Sequence, residues 1–218
     1  MVPKVGDVLE DEDNYYTLVS MLTAMPIDLM VQLDSIGVDF TKINEYELFL
    51  YLFPSIQQMD TSLIFGDLDL KKFQLGVSEQ NGQVIFEDVE AGIRIDRAIH
   101  YRIAAILRKL HGLERDNRTP GNEEAKSYML ERAKRKMARH ANRATDSQLE
   151  MYIISLVNSP EYKYDYEGTK KLTIYQFNQS LHQVIHRVDY SNRMFGVYSG
   201  TVSSKEIPKE NLTWIKTK

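Results

Sequence analysis

Residues 172–200, LTIYQFNQSLHQVIHRVDYSNRMFGVYSG, decide the reading of the whole chain. Thr173 followed three residues later by Gln176 is a capping box, and Leu172 and Phe177 occupy the two positions of a hydrophobic staple, so a helix start is specified twice. Ile174, Phe177, Leu181, Val184, Ile185 and Val188 then recur at the i, i+3, i+4, i+7 spacing of one apolar stripe, which continues through Met194 and Tyr198. A stripe of that length needs a packing partner. Gly196 reads as a close-packing position and Gly200 as the stop, which makes the segment a central packing helix.

Upstream, Leu149, Tyr152, Ile153, Leu156 and Val157 give a second strong stripe. It opens at a Thr145/Gln148 capping box and closes at Pro160. Tyr162, Tyr164 and Tyr166 alternate like a strand in the connection between the two helices. Asn122 caps a long charged helix reaching about Arg143, with Tyr128, Met129, Ala133 and Met137 as its apolar marks, which places it at the edge of the fold. Asp96 and Gly112 bracket a helix whose stripe is Ile99, Ile103, Ile106, Leu107 and Leu110.

Between about residues 66 and 95 the period changes from helical to alternating. Phe73, Leu75 and Val77 read as a strand, Asn81-Gly82 as a hairpin turn, Val84 to Phe86 as the return strand and Ile93 to Ile95 as a third. The first 60 residues are helical again. An extended, solvated opening runs to about Asp13, a helix starts from Asn14, and a short amphipathic turn over 27–36 ends at Gly37. A helix over Thr41–Phe53 is closed by Pro54, with a further helical stretch to about Leu63. No repeat or linker divides the chain. The expected architecture is mainly α, a single helical domain over 1–218 with a small antiparallel β-meander at about 73–95 inserted in it. After Gly200 the chain is irregular, with Leu212, Trp214 and Ile215 as docking residues.

Composition removes several classes of function. At 43% hydrophobic and 27% charged the chain is an ordinary globular one. It has no cysteine, which rules out disulfides, thiolate metal sites and cysteine nucleophiles and suits a cytosolic or intravirion protein. The acidic N-terminus does not resemble a signal peptide and no apolar run is long enough to span a membrane, so no membrane association is expected. The net charge of −4 conceals a marked asymmetry. Residues 1–60 hold eleven acids and two bases, whereas 94–143 hold fourteen bases and six acids. The two regions could face each other, or the basic one could face an acidic partner.

Chemical motifs are incomplete wherever they begin. HQVIH places His182 and His186 at the spacing of a zinc protease, but Gln183 stands where the general base is required and no third ligand is at hand. Asp67 and Asp69 open like a calcium loop that Leu70 and Lys71 do not continue. Tyr198-Ser199-Gly200 lacks the glycine two residues before the serine that a nucleophile elbow needs. No catalytic residue, metal ligand or cofactor is therefore expected, and no enzyme activity. The candidates for partner binding are Arg132, Arg135, Lys136, Arg139 and Arg143 on the charged helix, which could neutralise adjacent phosphates. Tyr162 and Tyr164 together with Trp214 are the aromatic candidates.

Several segments together resemble a known group: PKVGDVLEDEDNYYTLVSMLT, TSLIFGDLDL, IDRAIHYRIAAILRKLHG, SPEYKYDY, the stretch 172–200 and the terminal NLTWI. They are similar to tail-module proteins of tailed bacteriophages and prophages of Gram-positive bacteria. Tail assembly chaperones of such phages are small, helical, acidic and cysteine-poor. The resemblance implies a non-enzymatic assembly factor, active in the host cytoplasm, that binds the tape-measure or tail tube protein before the tube polymerises. The alternatives are a structural virion subunit of the tail or baseplate and a nucleic-acid-binding protein using the helix at 122–143.

Overall fold

In a computed structural model, residues 2–78, 82–140 and 147–215 are described. The architecture is mainly α with one small antiparallel meander, as expected. In chain order the helices are α1 (Val5–Glu10), α2 (Glu12–Thr23), α3 (Met30–Ser35), α4 (Glu45–Ile56) and α5 (Ser62–Phe65). Strands β1 (Gln74–Val77), β2 (Val84–Asp88) and β3 (Ile93–Ile95) follow, then α6 (Arg97–His111), α7 (Glu123–His140), α8 (Gln148–Val157), α9 (Tyr166–Lys170) and α10 (Ile174–Tyr198). The chain groups into two compact units, Asp11–Asp146 and a second made of Val2–Glu10 with Ser147–Lys218. Reading the chain as one domain does not distinguish them, because neither boundary carries a linker-like composition.

In the first unit α2, α4 and α6 pack together. The helix expected to start at Thr41 starts at Glu45, since Asn44 accepts from the amides of Tyr46 and Glu47 while the Glu47 side chain accepts from the Asn44 amide. That reciprocal cap outcompetes any start at Thr41, whose hydroxyl bonds to Asp39 instead. Pro54 lies inside α4 rather than closing it. It occupies an exposed position near the helix end, where its missing amide costs one bond while Phe53 and Ile56 on either side stay fully buried.

The meander has the order β1-β2-β3, with Leu75 opposite Phe86 and Phe86 opposite Ile95. The alternation that marks β1 does not mark a buried face, for Leu75 and Val77 on this edge strand are exposed while Phe73, just outside it, is buried. Burial belongs to Ile85 and Phe86 on β2, where the Phe86 ring stacks on Phe53 at 3.7 Å. Tyr46 of α4 then ties the sheet down, and Gln57, just past the helix, holds the segment that leads into β1. The Tyr46 hydroxyl lies 2.9 Å from the Val84 carbonyl and 3.1 Å from that of Ile95, and the Gln57 amide donates to the carbonyls of Leu70 and Phe73. Asn81 lies outside the described residues; Gly82 takes φ +66°, a conformation that favours glycine.

Helix α6 has the expected cap at Asp96 and stop at Gly112, φ +62°. Its buried line is nevertheless His100, Ala104 and Leu107, rotated from the predicted stripe so that Ile106 faces out. The rotation follows from polar residues that pack inside. His100 stacks on Phe49 at 4.3 Å, and Arg108 reaches Glu45.

In the second unit the cleanest expectation holds. Thr173 and Gln176 form both bonds of a capping box at the start of α10, and Ile174 and Phe177 are fully buried. What lies against them includes a helix absent from the expectation. The opening residues are not extended and solvated: Val5 and Val8 of α1 are fully buried, and the segment is pinned by Val5 N–H to the Leu172 carbonyl and Ile174 N–H to that of Pro3, both 2.9 Å. Leu149, Ile153 and Leu156 of α8 complete the core. Thr145 lies outside the described residues; the cap of α8 is Ser147, which accepts from the Glu150 amide. Tyr162, Tyr164 and Tyr166 form no strand, because Asp165 caps α9 directly after Tyr164.

The predicted apolar stripe of α10 is buried only in its first half, since Ile185 and Val188 are exposed. At its C-terminus Gly196 and Gly200 take the predicted parts. A Cβ at Gly196 would meet the Val202 methyl at 3.0 Å, and Gly200 at φ +76° turns the chain back.

Candidate interaction surfaces

The charged helix α7 divides by partner. Met129, Leu130 and Ala133 pack against the cluster built from Ile27, Met30, Leu33, Phe40 and Leu48. Tyr128 and Met137, two of its predicted apolar marks, point outward. Lys126 donates to Asp39 and Lys134 to Asp34, each at 2.7 Å, on the rim of that contact. The hydrogen bond from Lys126 holds the Asp39 carboxyl well below the usual range. Part of the basic cluster is therefore spent on the acidic first third of the chain, which accounts for some of the charge asymmetry.

Of the named candidates, Arg135 pairs with Glu131 one turn earlier at 3.1 Å. Arg132, Lys136 and Arg139 are exposed and, among the described residues, have no ion-pair partner. Their spacing of four and three places them on one outward stripe. Arg143 lies outside the described residues.

The aromatic candidates do not act as one group. Tyr162 and Tyr164 are in ring contact at 5.6 Å, and the Tyr162 hydroxyl receives a bond from Thr169, so Tyr162 is part of the packing around α9 while Tyr164 remains exposed. Trp214 instead lies along α10, under the Arg187 guanidinium at 5.6 Å, with its carbonyl accepting from Gln183. His186 Nε2 is 2.9 Å from the Thr213 carbonyl. The HQVIH segment thus meets the C-terminal tail, and no group of three or more metal-ligating side chains occurs among the described residues.

A buried polar centre in the first unit escaped sequence reading. Glu45, with its side chain fully buried, lies 2.6 Å from Arg108 and 2.8 Å from Arg115, and Arg108 also donates to the Thr23 carbonyl. Nearby, His111 meets the Tyr15 hydroxyl at 3.0 Å. His100 Nδ1 has no hydrogen-bond partner among the described residues. The centre joins α2, α4 and α6 through the Thr23 carbonyl, Glu45 and Arg108.

It also makes the fold acid-sensitive. Burial pushes the pKa of both imidazoles down to about 4 from an ordinary 6.5, and at His100 the Arg108 charge adds to it. The unfolded chain takes up these protons near pH 6.5 and the folded chain only near pH 4. The stabilisation is therefore complete above pH 6.5 and is lost progressively as pH falls towards 4, by about 3 kcal/mol for a group with His100's shift. Urea denaturation at pH 7 and pH 4.5 checks this; equal midpoints would mean that the imidazoles are hydrated.

On the second unit, Met151 and Ile154 of α8 are about half exposed opposite its buried line, Tyr152, expected in the buried stripe, is about half exposed on its flank, and Phe195 and Tyr198 of α10 stand in solvent. No helix among the described residues is long and apolar enough to cross a membrane. Residues 140–217 match a family model, the YomV second domain. This is a phage-type domain, from a Bacillus prophage protein, and the likeness of the segment points to a phage protein; it carries nothing specific to a tail chaperone. The matched segment covers the second unit from α8 onwards and leaves out α1. No curated protein and no solved structure matches the chain.

Proposed function

We propose that the chain is a non-enzymatic tail-assembly factor of a phage, chaperone-like, that holds a helical segment of a partner such as the tape-measure protein in the host cytoplasm. The observation that carries this reading is the apolar outer face of α8, in the unit whose sequence is of phage type. An amphipathic partner helix suits such a surface, because it brings apolar residues at i, i+3 and i+4 to a face already shaped by a helix. Copurification from phage-producing cells tests it. The partner tail protein is expected to come down with the chain, and Met151→Asp with Ile154→Asp is expected to release it. Mass spectrometry of finished virions is expected to lack the chain; a fixed copy number there would replace this reading with a structural tail or baseplate subunit.

The exposed stripe Arg132, Lys136 and Arg139 favours nucleic-acid binding as the second reading. For an assembly factor, duplex DNA is not retarded even at low salt. Retardation that weakens with salt at a log–log slope of about −3, and that vanishes when the three residues become glutamine, would put the DNA reading first.

A further inference from the structure

We infer that the distal half of α10 is a self-association seam, which pairs antiparallel with the same segment of a second copy of this chain. This stands independently of the tail-partner reading. Ile174, Phe177, Leu181, Val184, Val188, Ser191, Phe195 and Tyr198 follow one another at alternating steps of three and four along the whole 25-residue helix. That is the spacing of a coiled-coil seam. The first four positions are wholly or partly buried in the helix's own unit. The rest of the same seam is bare: Val188 is 43% exposed, Phe195 76% and Tyr198 83%, with Ile185 beside it at 54%. The tail leaves this side open: it lies against Gln183 and His186, away from the seam, and reaches only the flanking Arg187.

Two features select a second copy as the occupant. Partner choice in coiled coils is set by charges flanking the seam, and here the flanking positions are Ile185, Arg187, Asn192 and Met194. With a single charge among them, a copy meets no repulsion from itself and a foreign helix finds no charge code. The exposed area also suffices. Two aromatic residues present roughly 300 Å² per copy when they bring about 150–250 Å² each. With Ile185, Val188 and the polar flanks, two copies reach about the 1,000 Å² that a specific interface needs.

Orientation follows from side-chain size. Antiparallel about residue 193, Val188 faces the other copy's Tyr198 and Ser191 its Phe195, so each small residue meets a large one. In a parallel pair Ser191 would face Ser191 across a void while rings crowd one another. The antiparallel pair also leaves room for the core that covers the first half of each seam, because the partner helix ends at Tyr198, alongside Val188.

Sedimentation of the full-length chain tests this. A dimer is expected at roughly 100 µM protein, where an interface of micromolar strength is mostly formed. Phe195→Ser with Tyr198→Ser is expected to give a monomer with an unchanged circular dichroism spectrum, as both side chains are exposed in the single chain. In this cysteine-free sequence Met194→Cys is expected to crosslink to itself on mild oxidation, and Ser191→Cys is not. A monomeric wild type, a dimer that survives the double substitution, or crosslinking through Ser191→Cys alone would overturn the inference.

Discussion

Phe177→Ala is expected to cost about 3–5 kcal/mol, because the ring is fully buried and its removal leaves a cavity that the surrounding helices cannot close completely. The same truncation at Phe195, eighteen residues further along the same seam, is expected to change monomer stability by less than about 0.5 kcal/mol. Chemical denaturation of the two variants at low protein concentration compares them directly. A small effect at Phe177 would mean that the second unit does not hold the core described for it. Above the concentration of self-association the order would narrow, since Phe195 would then be buried in the dimer.

Glu45→Ala is expected to cost a further comparable amount, about 3–5 kcal/mol, for a different reason. Removing the carboxylate strands the Arg108 guanidinium, only 11% exposed, without a counter-charge. Replacing both partners together, Glu45→Leu with Arg108→Met, is expected to cost less than Glu45→Ala alone, because the desolvation penalty of both ions disappears with them. A double-mutant cycle by urea denaturation reads the coupling. Additive effects would show that Glu45 and Arg108 do not depend on one another.

Much of the helical framework is legible from local signals. The capping box at Thr173, the Asp96 cap and the Gly112 stop each depend on residues a few positions apart, and each helix bounded by them stands where the signals put it. The errors lie where distant contacts decide. Helix α1 is six residues long with Val5, Val8 and Leu9 as its apolar marks, too few for a periodic pattern, and it exists because residues 172–174 hold its first turn. A hydrophobic pattern misplaces the face of α6 because it counts a histidine and an arginine as outward residues, yet Phe49 and Glu45 draw them in. A cluster of bases on α7 could be read directly. Which of them are neutralised could not, since Lys126 and Lys134 find their carboxylates 87 and 100 residues away. The bare end of α10 was equally hidden, for a seam of uniform spacing carries no mark of where its own core stops.

The bonds between residues 3–5 and 172–174 bear on the order in which the chain can fold. The second unit is assembled from two segments, Val2–Glu10 and Ser147–Lys218, with all of residues 11–146 between them. On a ribosome residues 3–5 must wait for residues 172–174 to emerge. Bringing the ends of an unstructured loop of that length together costs on the order of 4 kcal/mol, a penalty that prior folding of the intervening unit reduces. A fragment cut at the limits of the matched segment would carry α8 to α10 but lack Val5 and Val8. It would reach its native core only when α1 is supplied, as a free peptide or by fusion through a short linker, making Val2–Glu10 the last piece of this unit to find its place.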